Sequence, residues 1–292
     1  LGFWTQRLGG ELPVLDLPID HPRSARQTFA GASHRFRVAA RLTADLKALS
    51  RRHDVTPFMT LVAAFQALLH RYCGQDDVLI GTPTAGRTHP DTQELIGAFI
   101  NTLVLRTDVS GDPTFHELLL RVREVALAAY AHQDLPFEKL VAELRPQRDL
   151  SRTPVFQVMF NLQNAPLPAI SIPGLSLELL PIDRAASQFD LTLIMIESGQ
   201  ELEGVFEYNA DLFDRPTIER LAESFHLLLS DAVAQPERRL SQLAIMRPAE
   251  RNRLVHGLND TRSAYPLERG VHELIAAQVE RSPDAVAMVC GG

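Results

Sequence analysis

The chain is poor in cysteine and has no hydrophobic run long enough to cross a membrane. Cys73 and Cys290 are the two cysteines among 292 residues, and they lie far apart in unrelated contexts. This excludes a disulfide framework and a cysteine-based metal site, and it favours a reducing cytosol. No apolar segment reaches the roughly 18 residues that a membrane span requires, and no signal segment follows Leu1. These absences predict a cytoplasmic protein without membrane contact.

Concentrated positive charge is absent as well. The chain has 29 Lys and Arg against 36 Asp and Glu, a net charge of -7, and no basic run exceeds two residues. Proteins hold nucleic acid by neutralising several phosphates at once, so this pattern argues against a nucleic-acid partner. In contrast, hydrophobic residues make up 45% of the chain and charged residues 22%, which is typical of a globular protein.

Strands and helices are predicted to alternate along most of the chain. Apolar periodicity predicts strands at His34–Val38, Asp77–Gly81, Ala98–Val109, Val155–Leu162, Leu175–Ile182, Phe189–Ile196 and Leu202–Tyr208. The same reasoning, with capping residues, predicts helices over 43–52 and 57–73, after Thr114, and over 215–234. Residues 11–27, with three prolines and no steady period, are predicted to form an extended arm. Long strands with interposed helices favour an α/β fold of packed layers over a helical bundle.

The composition changes after Gln235. Charged residues alternate there with turn formers, which is typical of a linker, and we predict a domain boundary near residue 246. A helix is predicted at Val271–Glu280 and a strand over 285–290. A strand that stops in two terminal glycines suggests that the chain is a piece of something longer.

A screen for catalytic motifs finds no complete set. Gly81–Arg87 has the glycine spacing of a P-loop, but it continues Gly-Arg-Thr and contains a proline, so a rigid loop at a strand exit is favoured over nucleotide binding. The sequence has no Gly-x-Ser-x-Gly elbow and no His-Glu-x-x-His. Cys73 ends an apolar helix, and packing explains it better than the role of a nucleophile.

The segment 132–138 is a dense polar cluster. His132, Asp134 and Glu138 are of the types that perform acid/base chemistry. The structural alternative is a corner between two helices, with Asp134 capping the helix that begins near Pro136 and His132 at the negative end of the preceding helix. Spacing alone favours the corner.

Two further features leave alternatives open. Asn101 is a polar residue inside an apolar strand, and it must find hydrogen-bond partners if it is buried. It could orient a substrate or tie two loops together. The run Arg148–Arg152 could bind an anion, although a solvated turn with internal Asp–Arg pairing is the commoner arrangement.

Three of these stretches, in this order, resemble motifs of the condensation domain of nonribosomal peptide synthetases. Ile96–Arg106 is similar to the family's IGxFVNTLxxR motif, His132–Glu138 to HQDxPFE, and Arg148–Pro154 to RDxSRNP, with Thr153 where Asn is usual. Shorter similarities to the family lie at Phe3–Leu8, Gly81–Arg87 and Ser187–Leu191. Farther on, residues 259–261 and 271–286 resemble the start of an adenylation domain.

The resemblance implies a fold of two lobes similar to chloramphenicol acetyltransferase, facing each other across a tunnel. Carrier proteins would deliver donor and acceptor thioesters on phosphopantetheine arms, so no cofactor is expected to bind this chain directly. The family's active-site signature, HHxxxDG, belongs to the first lobe, and no two of the ten histidines here are adjacent. His256 has an Asp four residues on, but it falls in the linker. The catalytic histidine is therefore absent from this chain.

On this resemblance we expect a layered α/β lobe, the C-terminal lobe of a condensation domain, over residues 1–245. A linker over 246–270 and the truncated start of an adenylation domain over 271–292 would follow. The residues expected to shape or brace the tunnel wall, without transferring protons, are Asn101, Thr102, Arg106, His132, Gln133, Asp134, Glu138, Arg148, Asp149 and Arg152. The expected partners are the N-terminal lobe, peptidyl and aminoacyl carrier proteins, and the adjoining adenylation domain. The chain is expected to be inactive alone.

Two other functions stay open. One is that of an epimerisation or cyclisation relative, although the HQDxPFE form and the adjoining adenylation start argue against epimerisation. The other is a non-catalytic docking lobe that recruits a carrier or a partner enzyme. We also expect apolar residues of the proline-rich segment 162–183, such as Leu167, Ile170 and Ile172, to be exposed when the first lobe is absent.

Overall fold

The computed structural model describes residues 1–145, 149–164, 185–262 and 268–290. The chain divides into two compact units, Leu1–Arg247 and Pro248–Gly292. Three of the sequence-based expectations lie outside the described residues: the strand Leu175–Ile182, the exposure of Leu167, Ile170 and Ile172, and the surroundings of Arg148.

The first unit is built on a six-stranded mixed sheet. Its strands are β1 (Gly31–Val38), β2 (Asp77–Thr84), β3 (Asn101–Asp108), β4 (Val158–Gln163), β5 (Leu191–Ser198) and β6 (Glu201–Asn209). Their order across the sheet is β1-β6-β5-β4-β2-β3. Strand β4 pairs in parallel with β2 and β5, and the other neighbouring strands are antiparallel.

In the described residues six α-helices accompany this sheet, and side chains cap the N-termini of two of them. They are α1 (Gly2–Leu8), α2 (Ala40–Arg52), α3 (Pro57–Cys73), α4 (Phe115–Ala131), α5 (Phe137–Leu144) and α6 (Arg215–Ala234). Thr56 accepts a hydrogen bond from the Met59 N–H at the start of α3, and Thr114 forms a capping box with Glu117 at the start of α4. Gly74, with φ of 66°, ends α3 in the left-handed conformation that glycine adopts without strain.

The core lies between the sheet and the helices α3, α4 and α6. Residues 59–69 of α3 are all buried, because α3 packs against α4 and α6 as well as against β2. The ring of Phe65 lies 6.1 Å from that of Phe160 and 6.3 Å from those of Phe206 and Phe225, centroid to centroid. A mixed sheet with helices packed on it confirms the predicted layered α/β fold.

Three predicted strands begin later than expected, and one of them, predicted from Phe189, starts at Leu191. The strand predicted from Ala98 starts at Asn101, because the ladder with β2 begins with the pair Thr84–Asn101. The strand predicted from Val155 starts at Val158. Val155 has φ of 73°, which lies outside the range of regular β-strand and is rare for a β-branched residue.

The second unit contains the short helix α7 (Pro248–Asn252), a π-helical turn over Arg253–Gly257 and the helix α8 (Val271–Arg281). The prediction of a strand over 285–290 was wrong. A strand requires a hydrogen-bonded neighbour, and no strand in the described parts of the chain pairs with these residues. Within the described residues, no helix has both the length and the apolar character needed to cross a membrane.

Candidate functional site

Asn101, the polar residue at the start of β3, is a four-way clamp. Its Nδ2 donates to the carbonyl oxygens of Gln133 and Leu135, each at 2.8 Å. Its Oδ1 accepts from the backbone N–H of Phe137 at 3.0 Å and of Thr102 at 2.9 Å. Asn101 thus uses both ends of its amide, and it ties two segments together, one of the two alternatives that the sequence left open.

The clamped segment is the corner between α4 and α5, residues 132–136. The corner is also fastened to the end of β2, since Thr84 Oγ1 donates to Gln133 Oε1 at 2.8 Å. Thr88 Oγ1 donates to Asp134 Oδ1 at 3.1 Å. The expectation that Asp134 caps α5 was therefore wrong: Pro136 occupies the N-cap position, and no side chain caps it.

His132 lies at the C-terminal end of α4, as the structural alternative predicts. Its Nδ1 lies 2.9 Å from the carbonyl oxygen of Ala128 and donates to it, because a carbonyl oxygen can only accept. The ring stacks on Phe3, with a centroid distance of 4.0 Å and an angle of 4°. The indole N–H of Trp4 donates to the His132 carbonyl oxygen at 3.0 Å. These contacts attach α1 to the corner.

Two other predicted site residues lie next to this clamp. Thr102 follows Asn101 in β3, opposite Pro83 of β2, and is half-buried. Glu138 is exposed in the first turn of α5, where a negative charge is favourable near the helix N-terminus. The structure therefore brings together Asn101, Thr102 and the residues from 132 to 138.

Arg106 lies at the other end of β3 and is part of a separate network. Its Nη2 and Nε lie 2.7 Å and 3.1 Å from Asp77 Oδ2, and this pairing raises the pKa of Arg106. Arg106 and Arg7 of α1 also exchange hydrogen bonds, each guanidinium donating to the other's carbonyl oxygen at 3.1 Å. Arg106 thus braces α1 against the sheet edge.

The described part of the run 148–152 forms a turn held by its own side chains. The N–H and Oγ of Ser151 donate to Asp149 Oδ1 at 2.8 Å and 2.6 Å, and these bonds lower the pKa of Asp149. Arg152 Nε lies 3.6 Å from Asp149 Oδ2, beyond hydrogen-bond distance, and this nitrogen has no hydrogen-bond partner among the described residues. The arrangement agrees with the solvated turn. Asp149 and Arg152 line an open cleft together with residues 8–14.

Sequence reasoning missed a buried ion pair behind this turn. Arg23, in the extended arm, donates to both carboxylate oxygens of Asp190 at 2.9 Å and 2.6 Å. Asp190 is 2% exposed, and Arg23 also donates to the carbonyl oxygen of Ser151 at 3.1 Å. The sequence signal was an aspartate beside Phe189 at the start of an apolar strand, since a buried carboxylate requires a partner.

These networks can hold shape but do not assemble a nucleophile with a base. Both ends of the Asn101 amide are used within the chain, and Gln133 Oε1 and Asp134 Oδ1 each accept a hydrogen bond from a threonine. Over the described ranges, no three His, Cys, Asp or Glu side chains are placed to hold a metal ion. The chemistry available to the clamp is therefore positioning.

The relatives of this chain are large synthetases. A family model, the condensation domain, matches residues 1–255. One component of the linear gramicidin synthase of Brevibacillus parabrevis is 48% identical over 293 residues, covering 100% of this chain and 6% of its own length. Malpinin synthetase of Mortierella alpina is 44% identical over 98% of this chain and 4% of its own length. The chain thus spans a small fraction of these relatives.

Solved structures give the same result. A four-domain nonribosomal peptide synthetase bound to AMP and glycine has a TM-score of 0.84 at 28% identity, over 97% of this chain and 23% of that chain. The X-domain from teicoplanin biosynthesis has a TM-score of 0.74 at 32% identity, over 84% of this chain and 56% of that chain. The folds, the family model and the motifs at Asn101 and the corner agree: the chain belongs to the condensation-domain family.

Proposed function

We propose that this chain is the C-terminal lobe of a condensation domain that forms peptide bonds in a nonribosomal peptide synthetase. The observation that carries the proposal is the match of the family model to residues 1–255, together with synthetases as relatives along the whole chain. In the reaction, the amine of a carrier-bound acceptor attacks the carbonyl carbon of a donor thioester. The new C–N bond replaces the C–S bond, and the released thiol takes up the proton that the amine loses.

The clamp gives this lobe a positioning role in that reaction. Asn101 and the corner 132–136 fix one stretch of the wall along which the two thioesters would meet. His132 has its Nδ1 engaged by a carbonyl oxygen and its ring covered by Phe3, so we assign it support and not proton transfer. The catalytic histidine would come from an HHxxxDG segment in an N-terminal lobe, and the phosphopantetheine arms from carrier domains.

We also propose that residues 271–292 begin an adenylation domain, after a linker. The condensation model stops at residue 255 of 292. The four-domain synthetase matches 97% of this chain and the linear gramicidin synthase component 100%, so both similarities continue beyond that residue. Both observations support a junction of two domains within this chain.

Peptide-bond formation by two matched proteins tests the proposal. The 292-residue chain and a longer protein that adds the upstream coding segment would each be mixed with loaded donor and acceptor carrier domains. Mass spectrometry of the acceptor arm would report the dipeptide. We expect product with the longer protein, none with the chain alone, and none after substitution of the second HHxxxDG histidine by alanine. Product from the chain alone, or none from the longer protein, would refute the proposal.

A docking lobe is the second candidate, and one structure favours it. The X-domain from teicoplanin biosynthesis, 32% identical to this chain with a TM-score of 0.75, is known in complex with OxyB. A related fold is thus able to bind another protein. If the longer protein makes no dipeptide but co-elutes with a carrier or enzyme encoded beside it, docking replaces condensation.

A further inference from the structure

The loop between β2 and β3, residues 85–100, is closed at its base and is here called the Ω-loop. Its ends meet because Thr84 and Asn101 are paired in the sheet. Immediately inside that pair, Gly86 lies so close to Phe99 that a Cβ on Gly86 would be 1.8 Å from the Phe99 carbonyl oxygen. Gly86 also has φ of 63°, so both space and conformation require glycine. Compact closed loops of this kind are frequently functional.

One side chain, Arg87, organises the interior of the Ω-loop. Its Nη1 donates to the carbonyl oxygen of Thr92 and, at 3.4 Å, to that of Gln93. Its Nη2 donates to the carbonyl oxygen of Gly97 at 3.2 Å. The guanidinium carbon lies 4.4 Å from the centre of the Phe99 ring, within range of a cation–π interaction. Arg87 thus contacts the loop at four positions, from Thr92 to Phe99.

The Ω-loop needs such support because it has little regular structure of its own. A single 3₁₀ turn, Pro90–Thr92, is the regular element described between residues 85 and 100. Ordering each further residue costs roughly 1–2 kcal/mol of conformational entropy. The loop also exposes three large apolar side chains, Leu95, Ile96 and Ile100, at 53%, 104% and 75%. These three side chains lie within a stretch of six residues, and apolar side chains that are exposed together are typical of a contact surface.

We propose that Arg87 is a positioning residue for condensation: it fixes the Ω-loop so that Leu95, Ile96 and Ile100 form an apolar stretch of the reaction tunnel next to Asn101. The inference rests on the proposed function. The clamp fastens the loop from outside, through Thr84, Thr88 and Asn101, and Arg87 fastens it from inside. Lysine cannot replace Arg87, because one ammonium group lacks the planar fork that reaches carbonyls on opposite sides.

Proteolysis of the chain itself tests the structural half of the inference. Glu94 is the one glutamate between residues 85 and 100, so glutamyl endopeptidase cleaves the Ω-loop at a single bond. We expect Arg87→Ala and Arg87→Lys to accelerate cleavage after Glu94 about tenfold, because cleavage follows the population of the opened loop. Arg123→Ala is the matched control, since Arg123 Nε donates to a backbone carbonyl oxygen, that of Asp54, outside the loop. Trp4 fluorescence checks that each variant is folded.

Kinetics of the complete synthetase test the catalytic half. We expect Arg87→Ala to lower kcat about tenfold or more, with KM for the carrier-bound acceptor changed less than about twofold, because misplaced walls slow the step after binding. Millimolar guanidinium should restore part of kcat to Arg87→Ala, which general destabilisation would not produce. If Arg87→Ala leaves either the rate of cleavage after Glu94 or kcat unchanged, the inference about Arg87 is refuted, while the proposed function stands. A wild-type synthetase without condensation activity would overturn the proposed function and, with it, the catalytic half.

Discussion

Replacing Asn101 by alanine removes all four hydrogen bonds of the clamp while leaving the backbone of β3 in place. Two carbonyl oxygens, of Gln133 and Leu135, and two N–H groups, of Thr102 and Phe137, lose their partner together. Each hydrogen bond contributes roughly 0.5–1.5 kcal/mol net to stability. Because Asn101 is half-buried, water can reach part of the vacated space, and we expect a loss of about 2–4 kcal/mol in the free energy of unfolding.

The chain carries its own reporter for this measurement. Trp4 is the single tryptophan, it is 2% exposed, and its indole N–H is bonded to the corner at the His132 carbonyl oxygen. Urea unfolding followed by Trp4 fluorescence therefore reports on the region that the substitution disturbs. The matched control is Asn161→Ala, since Asn161 is a half-buried strand residue whose side chain makes no hydrogen bond to any described residue.

Two results would refute the reasoning about the clamp. One is a loss below about 0.5 kcal/mol for Asn101→Ala, the range of ordinary surface substitutions. The other is an equal loss for Asn161→Ala, because the cost would then belong to any strand asparagine. The substitution Asn101→Asp tests the polarity of the clamp. A carboxylate at neutral pH would face two carbonyl oxygens, so we expect Asn101→Asp to destabilise the fold at least as much as Asn101→Ala.

Three further substitutions or modifications test separate features. Gln66→Met should stabilise the fold by about 1–2 kcal/mol in urea, because Gln66 is fully buried and neither amide atom has a partner among the described residues; a lower midpoint would contradict this. Arg23→Ala should cost about 3–5 kcal/mol by leaving the Asp190 carboxylate buried and unpaired, and adding Asp190→Ala should recover part of that loss; purely additive losses would contradict the pairing. Burial raises the pKa of the Cys73 thiol to about 12, so iodoacetamide at pH 8 should modify exposed Cys290 and spare Cys73 until urea is added.

Features with local causes could be predicted from the sequence. The helix α3 begins after Thr56 and ends before Gly74 as predicted, because a cap and its helix lie within a few residues of each other. The same holds for the capping box of Thr114. The corner at His132 was also predicted, since it lies where one apolar period stops and another begins.

Features that depend on distant partners could not be predicted in the same way. Asp134 was expected to cap α5 because its nearest N–H groups lie there, but Thr88, 46 residues away in sequence, holds it instead. Arg23 and Asp190 are separated by 167 residues, and no local pattern links an arm to a strand start. The absence of a strand at 285–290 has the same origin, because a partner strand decides whether an apolar run becomes part of a sheet.

The use of the motif residues explains how a lobe without the catalytic histidine would contribute to peptide-bond formation. Both reactants in the proposed reaction arrive on long flexible arms, so orienting them against each other removes much of the barrier. A tunnel wall can orient a substrate only if its own conformation is fixed, and loops are more mobile than the helices and strands that they connect. Asn101 directs its hydrogen bonds to the backbone of the corner and of β3, and Arg87 directs its own to carbonyl oxygens of the Ω-loop. Replacing Asn101, Arg87 or a residue that fastens the corner should therefore lower kcat more than it weakens the binding of the carriers.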